Sequence, residues 1–389
     1  MDKTQLGTIA ILKAAITGVA ETLPEGFDIA AVYQLIKHHH VAPLIYEGAI
    51  ACGISPDEQV MQQLFQTYCR MLLKSELQMR DVQRIYAAFD ENHIDYLPLK
   101  GCRMKALYPK PALRGMGDAD LLIRMEQYEL IRPIMEKLGF REKGESVHEL
   151  VWESDALYLE LHKHLIPAYN KDLYEYFGTG WQRAIPEKDN YHIMSVEDEW
   201  IFLFTHFAKH FRDGGIGCRH IVDLWVYLRS YPKMDETYVR NGIAQLQLTE
   251  FYDNILRLID CWFETAAGDE KTDLISRIIF DSGCFGRMET HLLSLAVREA
   301  DRGKKMRNGR LAYLRKLLFP NVQMLEGKYR VLKKAPWLLP LVWIYRPFYK
   351  LLVEGASVKK QKKELDVLTE DNVDTRRQLL RYLGIDYRF

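Results

Sequence analysis

The sequence predicts a mixed helix-and-strand core, α/β or α+β in class, set between two helical regions. Three observations predict it. Residues 1–92 carry helical periodicity; short β-rich runs alternate with a helix across 93–194; helical spacing then resumes through 195–389.

In the first region, Pro56–Asp57 opens a stretch running to Phe89 with no internal proline or glycine. Its apolar positions (Met61, Leu64, Phe65, Tyr68, Leu72, Leu73, Leu77) fall at helical spacing. In the second, strands are expected at Ile94–Leu99, Ala119–Arg124, Glu149–Trp152 and Leu157–Leu161. One helix, Glu126–Leu138, lies among them and is closed by Gly139. In the third, Ser195 and Asp198 form a capping-box pattern ahead of the apolar run Trp200–Phe207. Further on, Ala335–Val353 is amphipathic, rich in Trp, Leu, Tyr and Phe.

The bulk numbers narrow the class. With 389 residues, the chain can fold as two domains or as one with a large extension. Hydrophobic residues at 48% and charged residues at 27% are ordinary for a globular protein. Lys+Arg and Asp+Glu both total 53, so net charge names no partner. Its distribution is less even: residues 301–363 hold seventeen Lys/Arg against three acids, an excess of fourteen, and this basic segment is a candidate to meet RNA phosphates or an anionic membrane surface, beside the plainer reading that its amphipathic stretch packs on its own domain. The six cysteines are scattered without a C-x-x-C pair, as in a reducing compartment. The N-terminal MDKTQLGTIA has no signal-peptide pattern, so a cytoplasmic location is expected. The longest apolar run, Ala335 to Tyr345, is eleven residues and contains two prolines, whereas a membrane span takes about 20.

The chemistry concentrates in Tyr96–Arg124. A β-like run ends at Lys100-Gly101; a proline-punctuated loop holding Arg114 then leads to Asp118-Ala119-Asp120 and Leu121-Leu122-Ile123. On a strand, period two puts Asp118 and Asp120 on one face. Adjacent carboxylates repel unless a cation is shared between them, and Mg²⁺ prefers such oxygen donors. Asp-x-Asp by itself also suits a solvated strand edge or a turn cap. Glu160, in Leu157-Tyr158-Leu159-Glu160-Leu161-His162, is the third acid: Leu159 and Leu161 face the core, leaving Glu160 and His162 on the other side. Glu153 and Asp155 are alternatives in the turn before it. His206 and His210 share a helix face, but His-Phe-Ala-Lys-His lacks the glutamate of a zinc protease.

The stretch Leu99-Lys100-Gly101, Leu107-Tyr108-Pro109, Leu113-Arg114 and Gly117-Asp118-Ala119-Asp120-Leu121-Leu122-Ile123 resembles the signature of uncharacterised bacterial nucleotidyltransferases in the DNA polymerase beta-like superfamily. Glu160-Leu161-His162, the helical segment His206 to Asp223, the upstream His39-His40-Val41-Ala42-Pro43-Leu44 and the downstream Phe319 to Arg346 are also similar to that family. The resemblance implies an α+β polymerase-beta-like core, a small mixed sheet with metal carboxylates on adjacent strands, flanked by helical regions. It also implies nucleotide transfer from an NTP with release of pyrophosphate. The superfamily's usual Gly-Ser before the acids is here Lys100-Gly101, a close backbone approach plus a point charge.

The resulting expectation places Asp118, Asp120 and Glu160 as catalytic residues and ligands of Mg²⁺ or Mn²⁺. Lys100, Gly101, Arg114, Lys209 and His210 hold the phosphates of an NTP, ATP foremost, against an acceptor hydroxyl. Two rivals remain at this level: a toxin-type enzyme that modifies RNA, and a non-catalytic nucleotide-binding or scaffold module.

Overall fold

A computed structural model of the chain describes residues 1–146, 148–168, 170–284, 286–301, 319, 322–325, 331–345 and 366–387. They form two compact units, residues 1–211 with 215–286 and residues 212–214 with 287–389. Most of the basic segment 301–363, on which the RNA or membrane expectation rests, lies outside the described residues.

The first unit begins with α1 (Lys3–Thr17), α2 (Ile29–Ile36), α3 (Ala42–Ala51) and the long α4 (Gln59–Glu91). Asp2 starts α1 by accepting from the Gln5 amide at 2.8 Å, while the Gln5 side chain reaches back to the Asp2 amide. α3 then crosses α1 at Gly48, where a Cβ would stand 1.9 Å from the Ile11 carbonyl oxygen. Only glycine permits that approach.

The buried face of α4 differs from the stripe read in the sequence. Met61 and Leu64 are buried as expected, but Phe65, Leu72 and Leu73 are exposed. Beyond Leu64 the buried positions are Ser75, Gln78, Asp81, Val82, Ile85 and Phe89. The polar members explain the break in apolar periodicity. Gln78 donates to the Met116 carbonyl and Asp81 accepts from Ser154, so this part of α4 supports loops rather than a hydrophobic layer.

The sheet follows: β1 (Tyr96–Leu99), α5 (Lys100–Met104), β2 (Ala119–Ile123), α6 (Tyr128–Lys137), β3 (Arg141–Glu145), β4 (Glu149–Glu153), β5 (Tyr158–His162), α7 (Lys171–Phe177), β6 (Ile185–Lys188) and β7 (Tyr191–Ile193). Its order is β3-β4-β5-β2-β1-β7-β6, with β2–β5 and β1–β7 parallel and the other pairs antiparallel. The class is therefore α+β with a mixed sheet, as expected, but the sheet has seven strands. Three of them escape the sequence reading for one reason. β3 (REKGE) and β6 (IPEK) are edge strands exposed along their length, and β7 has three residues, so none carries an apolar alternation.

One face of the sheet packs on α4 and α6. Ala119, Leu121 and Ile123 of β2 join Leu159 and Leu161 of β5, Leu150 and Trp152 of β4, and Val82, Ile85, Phe89, Ile131 and Met135 from the helices. Burying side chains of this size contributes about 1.5–3 kcal/mol each before chain entropy is subtracted. Period two then sends Asp120, Glu160 and His162 to the opposite face. α8 (Val196–Asp213) starts where Ser195 Oγ accepts from the Asp198 amide at 3.1 Å. α9 (Cys218–Ser230), α10 (Glu236–Gln245), α11 (Thr249–Phe263) and α12 (Glu270–Ser282) complete the first unit.

The second unit pairs α13 (Met288–Asp301) with the helix Glu370–Tyr382. Ser294 and Arg376 both donate to the Arg212 carbonyl, and Tyr387 donates to Asp213. In residues 335–345, Val342 buries against Leu325 and Leu332, while Trp337, Leu341 and Ile344 are exposed. Among the described residues no helix is long and apolar enough to cross a membrane. All six cysteines are unpaired.

The α1–α3 crossing makes a direct prediction. Gly48→Ala, which drives a methyl group into the Ile11 carbonyl, will lower the unfolding free energy by about 1–3 kcal/mol in urea denaturation. Gly144→Ala, with open space around its added methyl, will stay within about 0.5 kcal/mol of the parent. Equal stability of the two variants would refute the close-packed crossing.

Candidate functional site

The site is built where β1 turns into α5. Leu99, the last residue of β1, is the ladder partner of Asp120 on β2. The chain then enters α5 through Lys100, whose φ is +40°. A non-glycine residue in this left-handed region costs about 1 kcal/mol or more and needs surrounding contacts to hold it. Here the contact is ionic: Lys100 Nζ lies 2.9 Å from Asp120 Oδ1. Gly101 follows because a Cβ there would meet Arg114 Nη1 at 2.7 Å and Met116 Cγ at 3.1 Å.

Parallel pairing of β2 with β5 sets Asp120 beside Glu160 and Leu122 beside His162. The His162 ring leans back, placing Nε2 2.7 Å from Asp120 Oδ1 and 3.5 Å from Glu160 Oε2. Ligand atoms of Asp120, Glu160 and His162 lie within 4.8 Å of one another. A second such group, His148, Glu149 and His162, arises because the β4–β5 hairpin pairs Glu149 with His162. His162 joins the two groups, with Nδ1 3.0 Å from His148 Nε2.

The electrostatics follow from this crowding. Burial alone would raise the Asp120 pKa, but the Lys100 charge and the contacts from His162 hold it well below the usual carboxylate range. Asp118 moves the other way: half-buried and facing Asp120, its pKa is raised, with Lys100 opposing and Glu160 adding to the rise. Burial lowers the His162 pKa, yet its bonds to Asp120 and Glu160 reverse that and raise it. In its protonated form the His162 ring can donate from both nitrogens, to Asp120 and to His148. Burial, then the positive charges of His162, Lys209 and Lys100, keep His148 neutral. Two carboxyl groups two residues apart are thus driven to opposite behaviour, a pattern that separates an ionised ligand from a proton acceptor.

A loop held by buried donors delivers Asp118. Three successive carbonyls are each captured: Arg114 O by Lys105 Nζ at 2.8 Å, Gly115 O by Arg219 Nη1 at 3.1 Å and Met116 O by Gln78 Nε2 at 3.2 Å. Burial, followed by repulsion from Arg114, lowers the Lys105 pKa to about 8. Behind the loop, Arg114 makes a two-pronged ion pair with Asp223 on α9, at 3.2 and 3.0 Å, and the Tyr108 hydroxyl donates to the same carboxylate at 2.6 Å.

α8 brings two histidines and Lys209 to the site. His206 and His210 stand one turn apart with their Nε2 atoms 3.0 Å from each other. Burial and then the charges of Lys100, His210 and Lys209 depress the His206 pKa. For His210, desolvation comes first and then Lys209 and Lys100, although part of its own surface remains exposed.

Set against the sequence, the structure gathers Asp118, Asp120, Glu160, Lys100 and Gly101 in one place, and Lys209 lies near enough for its charge to lower the His148 and His210 pKa values. Arg114 keeps Nη1 on the Gly101 side, while its Nε and Nη2 are engaged by Asp223. Glu153 pairs with Lys143, and Asp155 lies 97% exposed beside Arg141, away from the site. The residues that sequence reasoning missed are His148, Glu149 and Asp223. Laying the runs Glu149–Glu153 and Tyr158–His162 as a hairpin would have set Glu149 opposite His162, with His148 one residue beyond. Asp223 had no such signal, because its partner lies 109 residues away.

Residues 25–264 match a family described as uncharacterised nucleotidyltransferase. No curated protein matches the chain. Among solved structures, the solution structure of the antibiotic-resistance factor ANT(2'')-Ia is similar at 18% identity, covering 44% of this chain and 91% of that one with a TM-score of 0.34.

The buried Arg114–Asp223 pair yields a stability prediction. Asp223→Ala leaves the guanidinium without its counter-charge, and the unfolding free energy will fall by about 3–5 kcal/mol. Arg114→Met in the same chain will recover part of the loss. A single variant as stable as the parent would show that the pair does not support the loop.

Proposed function

The chain belongs to the uncharacterised nucleotidyltransferase family, and from that premise we propose that it moves a nucleoside monophosphate from an NTP to an acceptor hydroxyl, releasing pyrophosphate. The observation that carries this reading is the β2–β5 register, which puts Asp120 and Glu160 side by side with His162 across them. Acidic oxygens beside an imidazole suit a divalent cation, Mg²⁺ or Mn²⁺. The same pocket already accepts positive charge, in the form of the Lys100 ammonium against Asp120. Asp120, Glu160 and His162 would hold the ion, with Asp118 at its side, and the ion would supply charge against the phosphate oxygens.

The chain's own groups divide the remaining work. Lys100, 2.9 Å from Asp120, is released from that carboxylate when other positive charge arrives, and its ammonium turns to the triphosphate. Gly101, bare of a side chain, lets phosphate approach the backbone. Lys209 approaches from α8 as a further positive group, and His210, kept neutral by burial and by Lys209 and Lys100, can offer only a ring N–H. Arg114 acts by position, anchoring the loop that aims Asp118. The acceptor oxygen attacks the α-phosphorus in line, the bond to the bridging oxygen breaks and pyrophosphate leaves. Asp118, with its raised pKa, takes the proton from the acceptor hydroxyl. ATP is the donor expected, and a cytoplasmic site fits a reaction that consumes it.

Asp120→Asn and Glu160→Gln will each abolish transfer of label from α-labelled ATP to acceptors in a cell extract, and chelation by EDTA will do the same to the parent. Asp118→Asn will slow it by about 10²–10⁴-fold. Circular dichroism and melting temperature will show all three variants folded. Undiminished labelling by the Asp120 variant would overturn the assignment.

A further inference from the structure

Immediately before Asp118 the chain borders a cavity of about 400 Å³, within the usual range for small-molecule sites of about 300–1,000 Å³. α2, α3 and α4 form its walls, and Gly115, Met116 and Gly117 form the side next to the aspartates. Three properties define what it accepts.

The first is charge. Lys37, His40 and Lys74 line the cavity, and among the described residues no Asp or Glu does. Lys74 makes no ion pair among the described residues, and Lys37 is held by Gln34 and the face of the Tyr33 ring rather than by a carboxylate. Partial burial, then Arg219 and Lys74, lower the His40 pKa, which reports the positive field. The second is an open polar group. Ser75 is 4% exposed, lines the cavity and has no hydrogen-bond partner among the described residues. The third is location. Met116 lines the cavity, while its Cγ and Sδ sit against Gly101. One residue therefore separates the cavity from the turn that carries Lys100.

We propose that this cavity is the acceptor site and that it takes a small hydroxyl-bearing molecule with an anionic group, a phosphate or a carboxylate. The assignment as acceptor rests on the nucleotidyl-transfer reading above. Lys37 and Lys74 hold the anion, Ser75 hydrogen-bonds the ligand, and a hydroxyl is presented to Asp118 past Gly117. A neutral sugar gains nothing from the two lysines, and a polycationic acceptor is repelled by them.

The test is calorimetric titration of the full chain, saturated with Mg²⁺ and α,β-methylene-ATP, with ribose 5-phosphate, glucuronate and glucose. At least one of the two anionic sugars will bind, and which one distinguishes phosphate from carboxylate; glucose will bind at least about tenfold more weakly. The double variant Lys37→Glu, Lys74→Glu will weaken the anionic sugar by at least about tenfold and leave α,β-methylene-ATP affinity within about twofold, whereas Lys74→Arg will retain both. The proposal falls if neither anion binds or if glucose binds as well as they do. It falls equally if the double variant weakens nucleotide and sugar alike, which would make the cavity part of the nucleotide site. Mg²⁺-dependent nucleotide binding that survives Asp120→Asn would instead sink the preceding reading, and the sugar titrations would still report on the cavity.

Discussion

The structure turns on one buried carboxylate. Asp120 is 3% exposed, and an ionised group at that depth is tolerated only with compensating charge. Two neighbours provide it, and each is placed by a different part of the fold. Lys100 comes from the β1–α5 turn at the expense of a left-handed backbone. His162 comes from β5 through the parallel register. Replacing buried charge with apolar packing is often neutral or stabilising for a fold, so three ionisable groups kept together in a sheet centre point to use rather than to stability.

Around this centre the protein spends an unusual number of buried cations on holding backbone. Lys105 is 2% exposed and Arg219 8% exposed, and both donate to carbonyls of the loop before Asp118. A lysine ammonium hidden from water is an expensive donor, as its lowered pKa records. The return is geometric: with three successive carbonyls fixed, Asp118 enters β2 from a defined direction. Arg114 and Asp223 brace the same loop from behind. Arg114 therefore supports the fold at this loop, and its removal would be felt in stability.

Much of this was legible in the sequence, and the limits are physical. β1, β2, β4 and β5 were found because each has at least one face in the core, which forces an apolar alternation. β3 and β6 were missed because no such force acts on exposed edges, and β7 because three residues are too few to show an alternation. The α4 stripe failed where Ser75, Gln78 and Asp81 turn inward to serve loops, since helical periodicity assumes that buried means apolar. The placing of Asp120 beside Glu160 was readable because period two and strand adjacency are local rules, whereas Asp118 lies just before β2 and is placed by its loop. The Arg114–Asp223 pair joins residues far apart in sequence, and no local rule reaches it.

The Lys100 ammonium would link the acids to the phosphates. It stands against Asp120 where positive charge is needed, and it sits on a strained turn directly above the acids. A cation bound by Asp120, Glu160 and His162 would compete with that ammonium and with the proton on His162, because all three neutralise the same carboxylates. Loading the site would thus free a lysine and expel a proton in a single exchange. The freed ammonium would have to find a new anion, and a triphosphate is the one the reaction supplies. Nucleotide and metal would then bind together, each removing the cost of the other's arrival.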